Sequence, residues 1–235
     1  MFSENSQLGN RELGFMIWIK ICGTTNLEDA LTAVSAGADA LGFVFSEKSP
    51  RNIDVESARQ IVQSLPLHLE KVGVFVNEPV EKILETVRKA GLTAAQLHGI
   101  ESRKPEFIKA LNAGRELKVF LVLPGTEVSS GLEWNVAGER CISGVFFDSG
   151  TPQQPGGTGT IFDWKAAASG IQAIGERLKV VVAGGLNSNN VGDAIRVLKP
   201  WGVDVVSGVE ARPGKKDPQK VRAFVNAVRQ AEKSN

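Results

Sequence analysis

The chain has 235 residues, 42% hydrophobic and 23% charged, the size and balance of one globular domain with a full core. Its 27 Lys and Arg against 26 Asp and Glu leave a net charge of +1, which argues against nucleic acid or a membrane surface as partner. No apolar run reaches the roughly 18 residues of a membrane span. Cys22 and Cys141 make no disulfide framework, so a reducing cytoplasm is the expected compartment, and with only His68 and His98 no zinc cluster is readable.

In chain order, residues 1–15 form a polar tail. They carry Glu4, Arg11 and Glu12 and lack the apolar centre of a secretory signal. The tail is expected to be dispensable, with Met16 a candidate start. From Ile17 onward short apolar runs alternate with helical patterns. Strands are expected at Ile17–Cys22, Ala38–Phe45, Lys71–Val76, Thr93–Leu97, Glu116–Val122, Gly144–Asp148, Lys179–Ala183 and Val203–Val206. Most are almost continuously apolar, as strands covered on both faces are. Between them run amphipathic stripes: Leu27, Ala30, Leu31 and Val34; Val55, Ala58, Val62 and Leu65 after Asp54; Val80, Ile83, Leu84 and Val87 after Pro79. Later come Val191, Ala194, Ile195 and Leu198 after the capping run Asn187–Asn190, and Val221, Phe224, Val225 and Val228 after Asp217 and Pro218. Pro124–Arg140, rich in Gly and Ser, reads as mostly loop. About eight right-handed βαβ units in one domain predict a closed (β/α)8 barrel over 16–235, with an open doubly wound sheet as the alternative.

In such a barrel the working residues stand at strand C-termini. Gly184-Gly185 after the seventh strand and Ser207-Gly208 after the eighth suit an anion, because glycine lets backbone N–H groups come close; tight βα turns would use the same residues. Cys22 ends the first strand and is either a reactive thiol or a small buried hydrophobe. Asp148 follows Gly-Val-Phe-Phe, where an unpaired acid is costly to bury, so it faces a cleft or has a partner. Arg51 is either a surface arginine or a planar fork for a carboxylate. His98 is a proton carrier or a satisfied neighbour of the site. Asp204, one residue into the last strand, does not fit a solvated face.

Together these segments resemble one family. Lys20-Ile21-Cys22-Gly23, Gly42-Phe43-Val44-Phe45 with Ser49-Pro50-Arg51, Val72-Gly73-Val74-Phe75-Val76-Asn77 and Gln96-Leu97-His98-Gly99 come in order. Asp148-Ser149 with Gly156-Gly157-Thr158-Gly159 and Phe162-Asp163-Trp164, Ala183-Gly184-Gly185-Leu186-Asn187, and Gly202-Val203-Asp204 with Ser207-Gly208-Val209-Glu210 complete the set. In that order the chain is similar to the phosphoribosylanthranilate isomerases from about Ile17 to its end.

The resemblance implies a cofactor-free Amadori rearrangement in tryptophan biosynthesis, from N-(5′-phosphoribosyl)anthranilate to 1-(2-carboxyphenylamino)-1-deoxyribulose 5-phosphate. It implies Cys22 as general base, Asp148 as general acid, Arg51 in the anthranilate site, Asp204 as a ligand contact, and Gly184, Gly185, Ser207 and Gly208 around the phosphate; His98 is expected to bind substrate beside them. No metal is implied, and the protein is expected to be a monomer or homodimer. The chemistry needs an acid that holds its proton near neutral pH and a base that becomes a thiolate, so Asp148 is expected in a desolvated or anion-rich setting. Nearby backbone N–H groups and the cationic character of the substrate are expected to favour the charged form of Cys22. A related phosphosugar isomerase of histidine biosynthesis resembles this chain but has an aspartate in place of Cys22. A non-catalytic phosphometabolite-binding barrel would need the glycine loops but not Cys22 and Asp148 together. Val206 and Thr25 depart from the family, which often has serine and arginine there.

Overall fold

The apolar strands find partners on both edges because the sheet closes. The computed structural model describes residues 16–99, 101–113, 117–129, 141–150 and 161–234. In it β1 (Trp18–Cys22), β2 (Ala40–Phe45), β3 (Glu70–Val76), β4 (Ala94–His98), β5 (Lys118–Pro124), β6 (Gly144–Asp148), β7 (Lys179–Val182) and β8 (Gly202–Val205) form a closed barrel. The parallel pairing of β8 with β1, Lys20 opposite Asp204, removes the open-sheet alternative. Helices α1 (Leu27–Ala36), α2 (Val55–Gln63), α3 (Val80–Ala90), α4 (Pro105–Asn112), α5 (Gly125–Ser129), α6 (Trp164–Gly175), α7 (Val191–Leu198) and α8 (Pro218–Glu232) alternate with the strands. A hairpin, β9 (Glu210–Arg212) and β10 (Lys215–Lys216), is inserted between β8 and α8. The expected tail over 1–15, the loop Thr151–Pro155 and the Gly156–Gly159 segment lie outside the described residues. So does most of the stretch expected to be loop before β6.

Alternation along the strands separates two cores. Ile19 and Ile21 of β1 point outward into the layer beneath the helices, so Trp18, Lys20 and Cys22 face inward. Trp18 packs on an inner cluster of Ala40, Val72, Ala94, Phe120, Val122, Phe146 and Val181. Its ring lies 5.1 Å from that of Trp201, stacked, and 6.2 Å from that of Phe120. These rings fill the end of the barrel opposite the strand C-termini, so the barrel is a packed core with one working mouth.

The expected caps form at several helices. Asp54 accepts from Ser57 N at 2.9 Å, and Asp217 accepts from Gln219 N at 2.8 Å ahead of Pro218. Pro79 stands at the cap of α3, just outside the first turn. The α1 stripe is corrected: Leu27 and Leu31 stay 40% and 43% exposed, whereas Asp29, Ala30 and Ala33 are buried. The cause is a long-range anchor. Asp29 binds Lys215 Nζ and the Lys216 N–H, both at 2.7 Å, and these contacts to the β9–β10 hairpin turn the helix about its axis. Among the described residues no helix is long and apolar enough to cross a membrane.

Candidate active site

The strand ends gather the residues singled out in the sequence at one mouth. Cys22 closes β1, His98 closes β4, Asp148 closes β6, and the turns after β7 and β8 carry Gly184-Gly185 and Ser207-Gly208. Arg51 reaches in from the β2–α2 connection, and Asp204 lies one layer deeper, inside β8.

Cys22 is buried, with a free thiol. Its inward position works because Gly42 stands opposite it on β2: a Cβ on Gly42 would lie 2.5 Å from Sγ. The expected support from backbone N–H groups is not met. The amides of Gly23 and Thr24 both donate to the Gly42 carbonyl, at 3.0 and 2.9 Å. Burial pushes the Cys22 thiol up, against the pull of Lys20 and Lys216. Asp148 meets its expectation. Burial pushes its carboxyl up, the Asp204 charge adds to that, and the Gly150 N–H, 2.8 Å from Oδ1, only partly opposes it.

Below these groups Lys20 and Asp204 form a buried ion pair, Nζ lying 3.0 Å from each carboxylate oxygen. Burial alone would pull the Lys20 ammonium down, but Asp204 and then Cys22 more than offset it, so Lys20 stays charged. Lys20 carries no assignment from the sequence reading. Its signal was legible: a lysine two residues before Cys22 shares its inward face, and so needs a buried counter-charge.

Arg51 is held as a fork. Its Nε and Nη2 donate to the two oxygens of Glu210 at 3.0 and 2.8 Å, and its aliphatic chain packs on Gly23. Burial would push Glu210 up, but Arg51 and Lys216 together hold it below the usual carboxylate range. Lys216, almost fully buried, also donates to the Cys22 carbonyl. Glu210 and Lys216 were missed as braces. Glu210 appeared only inside a motif, and Gly-Lys-Lys-Asp looks like any solvated turn. Thr25, the family departure, donates to the Gly214 carbonyl at 2.6 Å and ties this hairpin to the mouth.

His98 is only partly buried at the rim, yet desolvation and the Lys20 charge lower its pKa to about 4. Its Nε2 lies 3.3 Å from Gln96 Nε2. It is therefore neutral at pH 7. Above pH 6.5 it is neutral in folded and unfolded chains alike. Below that value the unfolded chain takes up a proton that the native site refuses, so stability falls as pH drops from about 6.5 toward 4. Denaturant titrations across this range should show a shallower decline for His98→Gln; an identical slope would remove His98 as the cause.

The turns after β6, β7 and β8 interlock. Gly184 and Gly185 have φ of 81° and 65°, which glycine adopts without strain. A Cβ on Gly184 would strike Ser149, and one on Gly208 would strike the Leu186 carbonyl. Asn190 does not cap α7 with its side chain. It braces the loop instead, accepting from Asn187 N at 2.8 Å and donating to the Gly185 carbonyl at 3.0 Å. Among the described residues, the N–H groups of Gly184, Gly185, Ser207 and Gly208 have no acceptor. Ser207 is exposed at the mouth.

A closed barrel whose strand ends carry a thiol, a carboxylic acid held toward its neutral form and a nest of open N–H groups belongs to the class of (β/α)8 barrel enzymes. The family model described as N-(5'phosphoribosyl)anthranilate (PRA) isomerase matches residues 19–227. N-(5'-phosphoribosyl)anthranilate isomerases from Pelobacter propionicus and Chlorobaculum tepidum are 43% and 45% identical, covering 92% and 93% of this chain and 97% and 98% of their own lengths. The crystal structure of the Thermotoga maritima phosphoribosyl anthranilate isomerase aligns over 92% of this chain and 100% of its own, with 41% identity and a TM-score of 0.78. Another such isomerase, in complex with reduced 1-(o-carboxyphenylamino)-1-deoxyribulose 5-phosphate, covers the same shares at 38% identity and a TM-score of 0.75. The chain belongs to the N-(5'-phosphoribosyl)anthranilate isomerase family.

Proposed function

We propose that this chain performs the Amadori rearrangement of N-(5′-phosphoribosyl)anthranilate with Asp148 as general acid and Cys22 as general base. The observation that carries the reading is the placement of these two groups at the ends of β1 and β6, in one barrel mouth. Burial pushes the Asp148 carboxyl toward its neutral, proton-carrying form. Asp148 protonates the furanose ring oxygen and the C1′–O bond breaks, leaving a Schiff base between C1′ and the anthranilate nitrogen. The Cys22 thiolate then removes the C2′ proton. The electron pair moves into the C1′–C2′ bond while the iminium nitrogen accepts the displaced pair. The resulting enolamine tautomerises to the ketone. No oxidant or external electron acceptor enters, because the substrate's own nitrogen is the sink.

The open N–H groups of Gly184, Gly185, Ser207 and Gly208 hold the 5′-phosphate, helped by the absence of side chains at the glycines. Asp204 contacts the sugar from below. Arg51 faces the anthranilate carboxylate with Nη1, the nitrogen left over from its fork on Glu210. Arg51→Lys should weaken substrate binding by about 1–3 kcal/mol, because an ammonium cannot hold Glu210 and the substrate with one planar group. An unchanged KM in a variant that melts normally would take Arg51 out of the site. The whole reading is tested by following the fluorescence of the anthranilate moiety during turnover of purified protein; no change with enzyme in excess would favour a binding role.

A further inference from the structure

Lys20 has no part in the steps above, yet it is a fully buried charge beneath the mouth. It stands two residues before Cys22 on the inward face of β1, with its ammonium on Asp204 and 5.2 Å from the centre of the Phe146 ring. A Cβ on Gly42 would meet both Cys22 Sγ, at 2.5 Å, and Lys20 Cε, at 3.0 Å. The thiol and the lysine chain thus converge on the same bare patch of β2, with no side chain from that strand between them. A buried ion pair of purely structural use can often be exchanged for apolar residues, so the position of this one asks for a reason.

We propose that Lys20 is a positioning residue whose ammonium, anchored by Asp204, supports the negative charge Cys22 must carry to act as a base. The inference rests on the reading of Cys22 as that base. The charged groups facing Cys22 are Lys20 from its own strand, Asp204 from β8, Lys216 with Glu210 from the hairpin, and Arg51 from the β2–α2 connection. Lys216 binds the Cys22 carbonyl and not the sulfur, and Arg51 spends two nitrogens on Glu210. Lys20 is the cation that most strongly opposes the upward push of burial on the thiol. The same charge acts on His98 and Asp148, so one lysine reaches both the acid and the base of the mouth.

The test reads the thiol directly. With Cys141→Ser as background, the rate of Cys22 alkylation by iodoacetamide is measured against pH, alongside kcat/KM. Lys20→Met should raise the alkylation midpoint by about 1–3 pH units, the effect of removing one nearby opposite charge. The limb of kcat/KM that reports the base should move with it. Should the unpaired Asp204 prevent folding, Lys20→Met is made in the Asp204→Asn protein and compared with Asp204→Asn alone, with the same shift expected. An unchanged midpoint in a folded pair overturns the role of Lys20, while an inactive Cys22→Ser leaves the base assignment standing. Wild-type turnover by Cys22→Ser overturns the base assignment and, with it, this role.

Discussion

Cys22→Ser and Asp148→Asn should each lower kcat by about 10²–10⁴ with the fold intact, the usual contribution of a positioned acid or base. Serine keeps the size of the side chain but is far too weak an acid to form its anion in this pocket. Asparagine keeps the shape of Asp148 and the acceptor for the Gly150 N–H, but it has no proton to give to the ring oxygen. If the two groups serve the successive proton transfers proposed for them, the double variant should lose less than the product of the single losses when one step limits both. The wild-type kcat/KM profile should be bell-shaped. Activity should fall on the alkaline side as Asp148 loses the proton that burial helps it retain, and on the acid side as the Cys22 thiolate becomes harder to form. Near-wild-type turnover by either single variant would remove that residue from its role. A circular dichroism spectrum and melting temperature matching wild type would show that the loss belongs to chemistry.

Much of this arrangement could be read in advance because a parallel barrel writes itself locally. Continuous apolar runs such as Gly144–Asp148 can be strands buried on both faces, and the polar residue ending each run marks the mouth. The fifth strand, expected at Glu116–Val122, runs two residues later, over Lys118–Pro124. Pro124 is its last residue, opposite Asp148, where the strand ends and a missing N–H costs little. What stayed hidden was set by contacts distant in sequence. The orientation of α1 depends on Asp29 meeting Lys216, 187 residues away. The polarity around Cys22 depends on a hairpin whose Lys215-Lys216 pair has the composition of a surface turn. The amides near the thiol, expected to face it, are drawn off by the Gly42 carbonyl, a partner that becomes visible only once β1 and β2 are in register.

Gly208→Ala should raise KM by about 10- to 150-fold while changing kcat much less. A single methyl at this position would run into the Leu186 carbonyl and crowd Asn187 Cβ at 3.0 Å. Both neighbours belong to the turn after β7, so the new atom pushes apart the two turns that carry the N–H groups proposed to hold the phosphate. The turn after β7 cannot yield easily, because Gly184 and Gly185 already hold positive φ and Asn190 clamps the Gly185 carbonyl. The displacement therefore falls on the Ser207-Gly208 turn, and its N–H groups swing away from the phosphate position proposed above. Loss of one charge-assisted hydrogen bond weakens binding by about 1.5–3 kcal/mol, which is the KM change stated. The phosphate is remote from C1′ and C2′, and its contacts are equally strong before and during proton transfer, so the loss is one of uniform binding and leaves kcat nearly unchanged. Inorganic phosphate should inhibit the wild-type enzyme competitively and the variant much less. A variant with raised KM but unaltered inhibition by phosphate would place the anion elsewhere in the mouth.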